Sequence, residues 1–163
     1  MILQKSVINK LLLILSVLCG FIVSAEQKSL QIRYVTIKSN QVNARKGPGV
    51  NYPIDWVFVK KGEPVKVISE FEQWRKIQDI EGFGGWVHSS VLSPKRTIII
   101  KASSIVKLFS KSNEKGKIVA KLEPGLRCNF SKCKHSWCQI KCSGYTGWLK
   151  AEYLWGLIPD ETK

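Results

Sequence analysis

Histidine, methionine and acidic residues are scarce in this chain of 163 residues: two His, one Met, and 12 Asp plus Glu against 26 Lys plus Arg. With only His88 and His135 available, general bases are few, and no pair of carboxylates stands out for acid–base work. A Cys-x-x-Cys motif is missing, which argues against a redox dithiol and against the usual zinc knuckle. Beyond residue 25 there is no long apolar run, so no stable transmembrane segment is expected there, and no apolar stripe at helical spacing is sustained. These absences point away from an enzyme, a metal or cofactor site, and a helical fold.

What is present begins with residues 1–25. Lys5 and Lys10 precede an apolar run from Leu11 to Val23, and Val23-Ser24-Ala25 offers small residues for cleavage, so the stretch reads as a signal peptide that is removed. The run is too short to cross about 30 Å of hydrocarbon. Retention as an anchor is one competing reading. Lipid attachment at Cys19 is another, and it meets Leu18 where a small residue is needed. The remaining chain, 26–163, has 24 basic and 12 acidic residues, a balance of +12 that attracts polyanions in a salt-dependent way or only solvates the surface. Four of the five cysteines lie between 128 and 142, and an exported chain with such a set most simply forms two disulfides. The expected location is the periplasm or another secreted, extracytoplasmic space.

The chain repeats itself. A shift of 63 superposes Arg33 on Arg96, Lys38 on Lys101, Val59 on Leu122, Gly62 on Gly125, Trp74 on Trp137 and Ile77 on Ile140. After a one-residue deletion, a shift of 62 superposes Gly82 on Gly144, Gly85 on Gly147, Trp86 on Trp148 and Leu92 on Leu154. The units run from 33 to 94 and from 96 to 158, with almost no linker. Each reads as short strands between turns: Tyr34 to Lys38, a Gly-Pro-Gly turn within Ala44 to Tyr52, Trp56 to Val59, a strand with Val65 and Val67 on one face, a return through Trp74 and Ile77, and a final strand after a Gly-rich turn. About five short strands in so few residues bury little as a flat sheet and more as a small bent barrel. The expected fold is all-β, two tandem barrels.

"VNARKGPGVNYPI", "KKGEPVKVI", "QWRKIQ" and "GWVHSSVL" follow one another in an order and spacing that resembles the bacterial SH3-like domain. The second unit keeps "LEPG", "WCQIK" and "GYTGWLKAEYL" but has Val106, Leu108 and Ser110 in place of Asn43, Arg45 and Gly47, so it is a degenerate, Cys-rich copy. The resemblance implies an exported, non-catalytic module of the kind attached to cell-wall hydrolases, where it binds peptidoglycan or proteins.

"NARKGPGVNY" is not a phosphate-binding loop, because Pro48 and Pro53 fall where the following helix would start and run. It is a turn, in which Gly47 and Gly49 permit positive φ and Pro48 stiffens the bend. Arg45 is a ligand candidate as a bidentate carboxylate partner, with a bond to a barrel carbonyl as the competing role. Tyr52 and Trp56 are the aromatics expected to be exposed, with Trp86 and His88 beside them in the candidate site; Trp74, Trp86, Trp137 and Trp148 each adjoin an apolar alternation that suits a core. The four clustered cysteines allow three pairings. If residues 126–131 and 137–142 form a hairpin, opposite residues share a nearly constant index sum, 270 for Cys128 with Cys142 and 271 for Cys133 with Cys138, which favours nested bonds. A four-thiolate zinc site with His135 is the competing reading, and x4, x4, x3 spacing fits it poorly.

The expected function is recognition of cell-wall peptidoglycan or a wall-associated protein; a periplasmic protein–protein adaptor is the alternative. Nucleic acid is not an expected partner of an exported chain.

Overall fold

A computed structural model describes residues 32–162; residues 1–25, read above as a signal peptide, lie outside them. Among the described residues there is no α-helix. Fourteen strands form two seven-stranded antiparallel sheets, one per repeat, each coiled on itself around its own core.

Repeat one comprises β1 (Arg33–Ile37), β2 (Val42–Arg45), β3 (Ile54–Phe58), β4 (Pro64–Phe71), β5 (Trp74–Gln78), β6 (Gly84–His88) and β7 (Leu92–Ser93), in the order β3-β2-β6-β5-β4-β1-β7. Repeat two comprises β8 (Thr97–Ile100), β9 (Val106–Phe109), β10 (Ile118–Leu122), β11 (Arg127–Lys134), β12 (Trp137–Cys142), β13 (Tyr145–Lys150) and β14 (Leu154–Trp155), in the equivalent order. The period-2 alternation of each strand sends one set of side chains inward. Ile37, Val42, Ala44, Phe58, Val65, Val67, Ile77 and Val87 make the first core. The second is built from Ile98, Ile100, Val106, Leu108, Leu122, Ile140, Leu149 and Leu154 with three buried cysteines, Cys128, Cys138 and Cys142. Burying each such aliphatic side chain stabilises by about 1.5–3 kcal/mol before entropy is counted.

The structure corrects the sequence alignment of the two repeats. Val42, Ala44 and Phe58 hold the places of Val106, Leu108 and Leu122, because Val42 pairs with Phe58 as Val106 pairs with Leu122. The equivalent of Arg45 is therefore Phe109, which pairs with Trp148 as Arg45 pairs with Trp86. Repeat two carries one extra residue between Lys101 and Val106, and Gly62 and Gly125 return to the original offset. Val59, matched above to buried Leu122, is exposed.

Both disulfides form, nested as the index sums favoured: Cys128–Cys142 with Cα atoms 4.6 Å apart and Cys133–Cys138 with Cα atoms 3.9 Å apart. The step in the sum from 270 to 271 has a cause, a bulge between Phe130 and Lys132, and repeat one has the same bulge between Val67 and Ser69. The thiols that a zinc site would need are thus consumed, and His135 stands exposed at the hairpin tip with φ 53.

The repeats meet along β1 and β8. Thr36 and Thr97 place their hydroxyl oxygens 3.0 Å apart, and the Thr97 hydroxyl donates to the Gly62 carbonyl at 2.9 Å. Arg127 Nε of repeat two donates to Glu63 Oε2 of repeat one at 2.7 Å, and Glu63 is 7% exposed. Tyr34 meets Trp155 edge to face at 5.1 Å.

Candidate functional site

The candidate residues fall on two sides of repeat one. Asn43 and Arg45 on β2, Lys76 on β5, and Trp86 and His88 on β6 alternate with the buried Ala44, Ile77 and Val87, so they face outward. Arg45 and Trp86 are cross-strand partners, as are Trp86 and Lys76, and Trp74 and His88. None of Trp74, Trp86, Trp137 and Trp148 enters a buried core: all four are half-buried on the outer faces, because the branched residues beside them fill the interior. Their suitability for the core, read from adjoining apolar residues, is corrected by strand parity.

Arg45 has its competing role. Its Nη1 donates to the Tyr52 carbonyl at 2.7 Å, clipping the 46–53 loop to β2, while Lys46 N donates to the Pro53 carbonyl at 3.0 Å. The loop is a turn, and its glycine requirement differs from the one read in the sequence. Neither Gly47 nor Gly49 has positive φ. A Cβ at Gly47 would lie 2.3 Å from the Tyr52 ring, which folds back over the loop and stays 47% exposed. His88 also has a local duty, since its Nδ1 accepts from the Ser90 backbone N–H at 3.2 Å and caps the turn 89–91. Its ring lies edge to face with Trp74 at 5.7 Å.

Trp56 faces the other way, opposite Ala44 on the edge strand β3, and is 38% exposed. It stacks on Phe83 with centroids 4.4 Å apart and planes within 5°. Phe83, 46% exposed, was not among the sequence candidates. The signal for it was an aromatic inside the Gly-rich turn "EGFGG", where no core position exists. Asp79 holds it: Oδ1 accepts from the N–H groups of Glu81 at 3.0 Å and Phe83 at 2.8 Å. Beyond the stack the strand must be bare, because a Cβ at Gly84, φ 159, would come within 2.0 Å of the Ile77 carbonyl oxygen.

Trp56 lines two grooves. One, about 410 Å³, runs over Asp55, Lys76, Gln78, Phe83 and Gly84. The other, about 270 Å³, runs over Lys60, Glu63, Asp79 and Glu81 to Arg127 of repeat two. The stack thus stands at the junction of a barrel edge and the seam between repeats. Among the described residues no cluster of His, Cys, Asp and Glu has the makings of a metal site.

A tandem pair of small coiled barrels, with strand order and glycine placement repeated, defines a class of small all-β modules. The bacterial SH3 domain family matches residues 38–94 and 102–156, and the chain belongs to it. Domains of this family are binding modules, often of cell walls. A Bacillus subtilis (strain 168) protein named "Putative N-acetylmuramoyl-L-alanine amidase YrvJ" is 26% identical over 128 residues, spanning 72% of this chain and 24% of its own length. NlpC1 and NlpC2 from Trichomonas vaginalis superimpose with TM-scores of 0.36 at 16% identity, over 83% and 78% of this chain and 49% of each of theirs.

Proposed function

We propose that the protein is a non-catalytic, extracytoplasmic binding module that holds cell-wall peptidoglycan against the Trp56–Phe83 edge of repeat one. The observation that carries this reading is the stack itself: two exposed, parallel rings, fixed by the Asp79 loop, with no core to fill. A preset flat aromatic surface accepts a sugar ring or an extended peptide with little ordering cost. Acidic Asp79 and Glu81 line the groove that leads from it to Arg127, which suits a ligand carrying both amino and carboxylate groups. Arg45, Trp86 and Lys76 form a basic outer flank, with Tyr52 at the loop and His88 at the far end of β6. The two disulfides and the likeness to an amidase-named protein support an oxidising location at the wall.

The test is co-sedimentation of oxidised protein, residues 26–163, with purified sacculi across a salt series. Binding should survive salt that screens surface charge, and Trp56→Ala or Phe83→Ala should weaken it about tenfold, the order expected for one lost stacking contact. Absence of binding, or its loss at moderate salt, overturns the reading. A protein adaptor then takes its place, and one observation favours that second function: β3 is a sheet edge with Ile54, Trp56 and Val57 exposed, open to strand addition by a partner.

A further inference from the structure

We infer that repeat two carries a ligand site of its own, a cleft for an acidic saccharide between β9, β12 and the turn 151–153. The cleft is about 410 Å³ and is lined by Ser104, Lys107, Phe109, Trp137, Lys150 and Tyr153 among others. Its floor is aromatic: Phe109 meets Trp137 edge to face at 5.7 Å, and both line the cleft and are half-buried. Lys150 Nζ lies 5.9 Å from the Trp137 ring centre and 2.7 Å from Glu114. That ion pair occupies the one acid of the cleft: hydrogen bonding and charge from Lys150 lower the Glu114 pKa, with a smaller pull from Lys107.

Charge at the rim exceeds the one acid that lines the cleft. Lys107 and Lys121 are direct cross-strand partners on β9 and β10, both exposed, and neither is in an ion pair among the described residues. Like charges facing each other across a sheet are destabilising. Lys111, Lys115 and Lys117 extend the same charge around the hairpin loop. Repeat one has nothing comparable, since Asn43 and Val57 stand where repeat two has Lys107 and Lys121. Cations stored at a cost beside half-buried aromatic rings fit a ligand that offers both anions and apolar ring faces. A polyanion without rings would leave the floor unused, and a neutral sugar would leave the lysines unneutralised. An acidic saccharide uses both. The site stands apart from the reading of repeat one.

The experiment is calorimetric titration of the oxidised chain with a hyaluronan oligosaccharide, which alternates uronate and N-acetylglucosamine, beside a chitin oligosaccharide and inorganic polyphosphate. Saturable binding of the uronate oligosaccharide is expected, stronger than that of the other two. Lys107→Gln with Lys121→Gln should weaken it at least about tenfold while the variant melts no lower than the parent, because a repulsive pair has been removed. Trp137→Leu should weaken it as well, and Trp56→Ala should leave it unchanged. If Trp137→Leu unfolds, the lysine variant and the ligand comparison still decide. No binding, equal binding of polyphosphate, equal binding of the neutral oligosaccharide, or loss of binding in Trp56→Ala each overturns the proposal.

Discussion

Where repeat one faces Glu70 with Arg75 across β4 and β5, repeat two faces Cys133 with Cys138 at the same register. The first pair is an ion pair at 3.4 Å, extended by Arg33 to Glu70 at 2.6 Å, and the second is covalent. The contrast recurs at the other end of the hairpin. Asp79 of repeat one caps an open loop that presents Phe83, whereas Cys142, at the equivalent place, is tied to Cys128. The chain then reverses through Ser143 and Gly144, whose φ values of 47 and 90 suit the tight turn that follows strand twist. Trp56 is replaced by Ala120, so repeat two has no stacked pair at that edge. One barrel therefore spends its polar residues on displaying an aromatic edge; the other ties its β11–β12 hairpin with disulfides and carries aromatic surface and charge on the β9 face.

The largest effect expected from breaking this division comes from Cys128→Ser with Cys142→Ser. Both residues are almost fully buried, and the bond closes a 15-residue loop, which in the chain-entropy model is worth about 3 kcal/mol. Urea unfolding of the oxidised variant should show that loss in repeat two. A loss under about 1 kcal/mol would mean that the hairpin is held by its apolar neighbours alone.

Next comes the seam, whose residues differ in type from those at the equivalent positions of the other repeat. Arg127→Met removes the partner of a nearly buried carboxylate, and because Arg127 itself is a third exposed the expected cost is about 2 kcal/mol, below that of a deep pair. Glu63→Gln should cost less, since the charge it leaves unpaired, on Arg127, is a third exposed and the amide oxygen still accepts from Nε. Two unfolding transitions in place of one, seen by calorimetry, would show that this pair couples the barrels. Unchanged melting in both variants would assign the coupling to Thr36, Thr97 and the Tyr34–Trp155 contact.

The fold and the disulfides were legible because β alternation and a constant index sum depend on spacing alone; the bulge at Ser131 moved the sum by one and shifted the inward face of β11 from Cys128 and Phe130 to Cys133, which still lies opposite Cys138. The placement of Arg45 on Leu108 failed because one inserted residue before Val106 slips a strand by a position, and a slip of one exchanges the two faces. β2 itself was partly hidden, since Ala44 and Arg45 read as the start of a turn and are strand. The same parity, read from Ile77 and Val87 outward, would have turned Trp86 to the surface. Phe83 was not legible from periodicity at all: its position depends on an Asp79 loop and on Trp56, 27 residues earlier in the sequence, a contact that only the closed barrel makes.

Transplanting the covalent tie sharpens the comparison further. Glu70→Cys with Arg75→Cys places two thiols where Cys133 and Cys138 stand in repeat two, so the bond should form on oxidation. The net gain should be about 1–2 kcal/mol, because the exposed ion pairs given up contribute little and the closed loop is short. Thiol titration and urea unfolding before and after reduction measure it, and free thiols in the oxidised sample would show that the strands diverge at this point.

The smallest effect lies at Tyr34, the ring that repeat one lends to the seam. Burial raises its pKa above the ordinary tyrosine value, and Arg96 of repeat two pulls part of the way back. A raised folded-state pKa means that the contribution is complete below the unfolded value and fades as pH climbs through the folded one, so stability should fall above about pH 10. Tyr34→Phe keeps the edge-to-face packing on Trp155 and removes the ionisation. Melting curves across the alkaline range should therefore show a shallower decline in the variant than in the parent. Identical declines would place the alkaline sensitivity in the lysine-rich surface of repeat two, and the seam would then be indifferent to the phenol's charge.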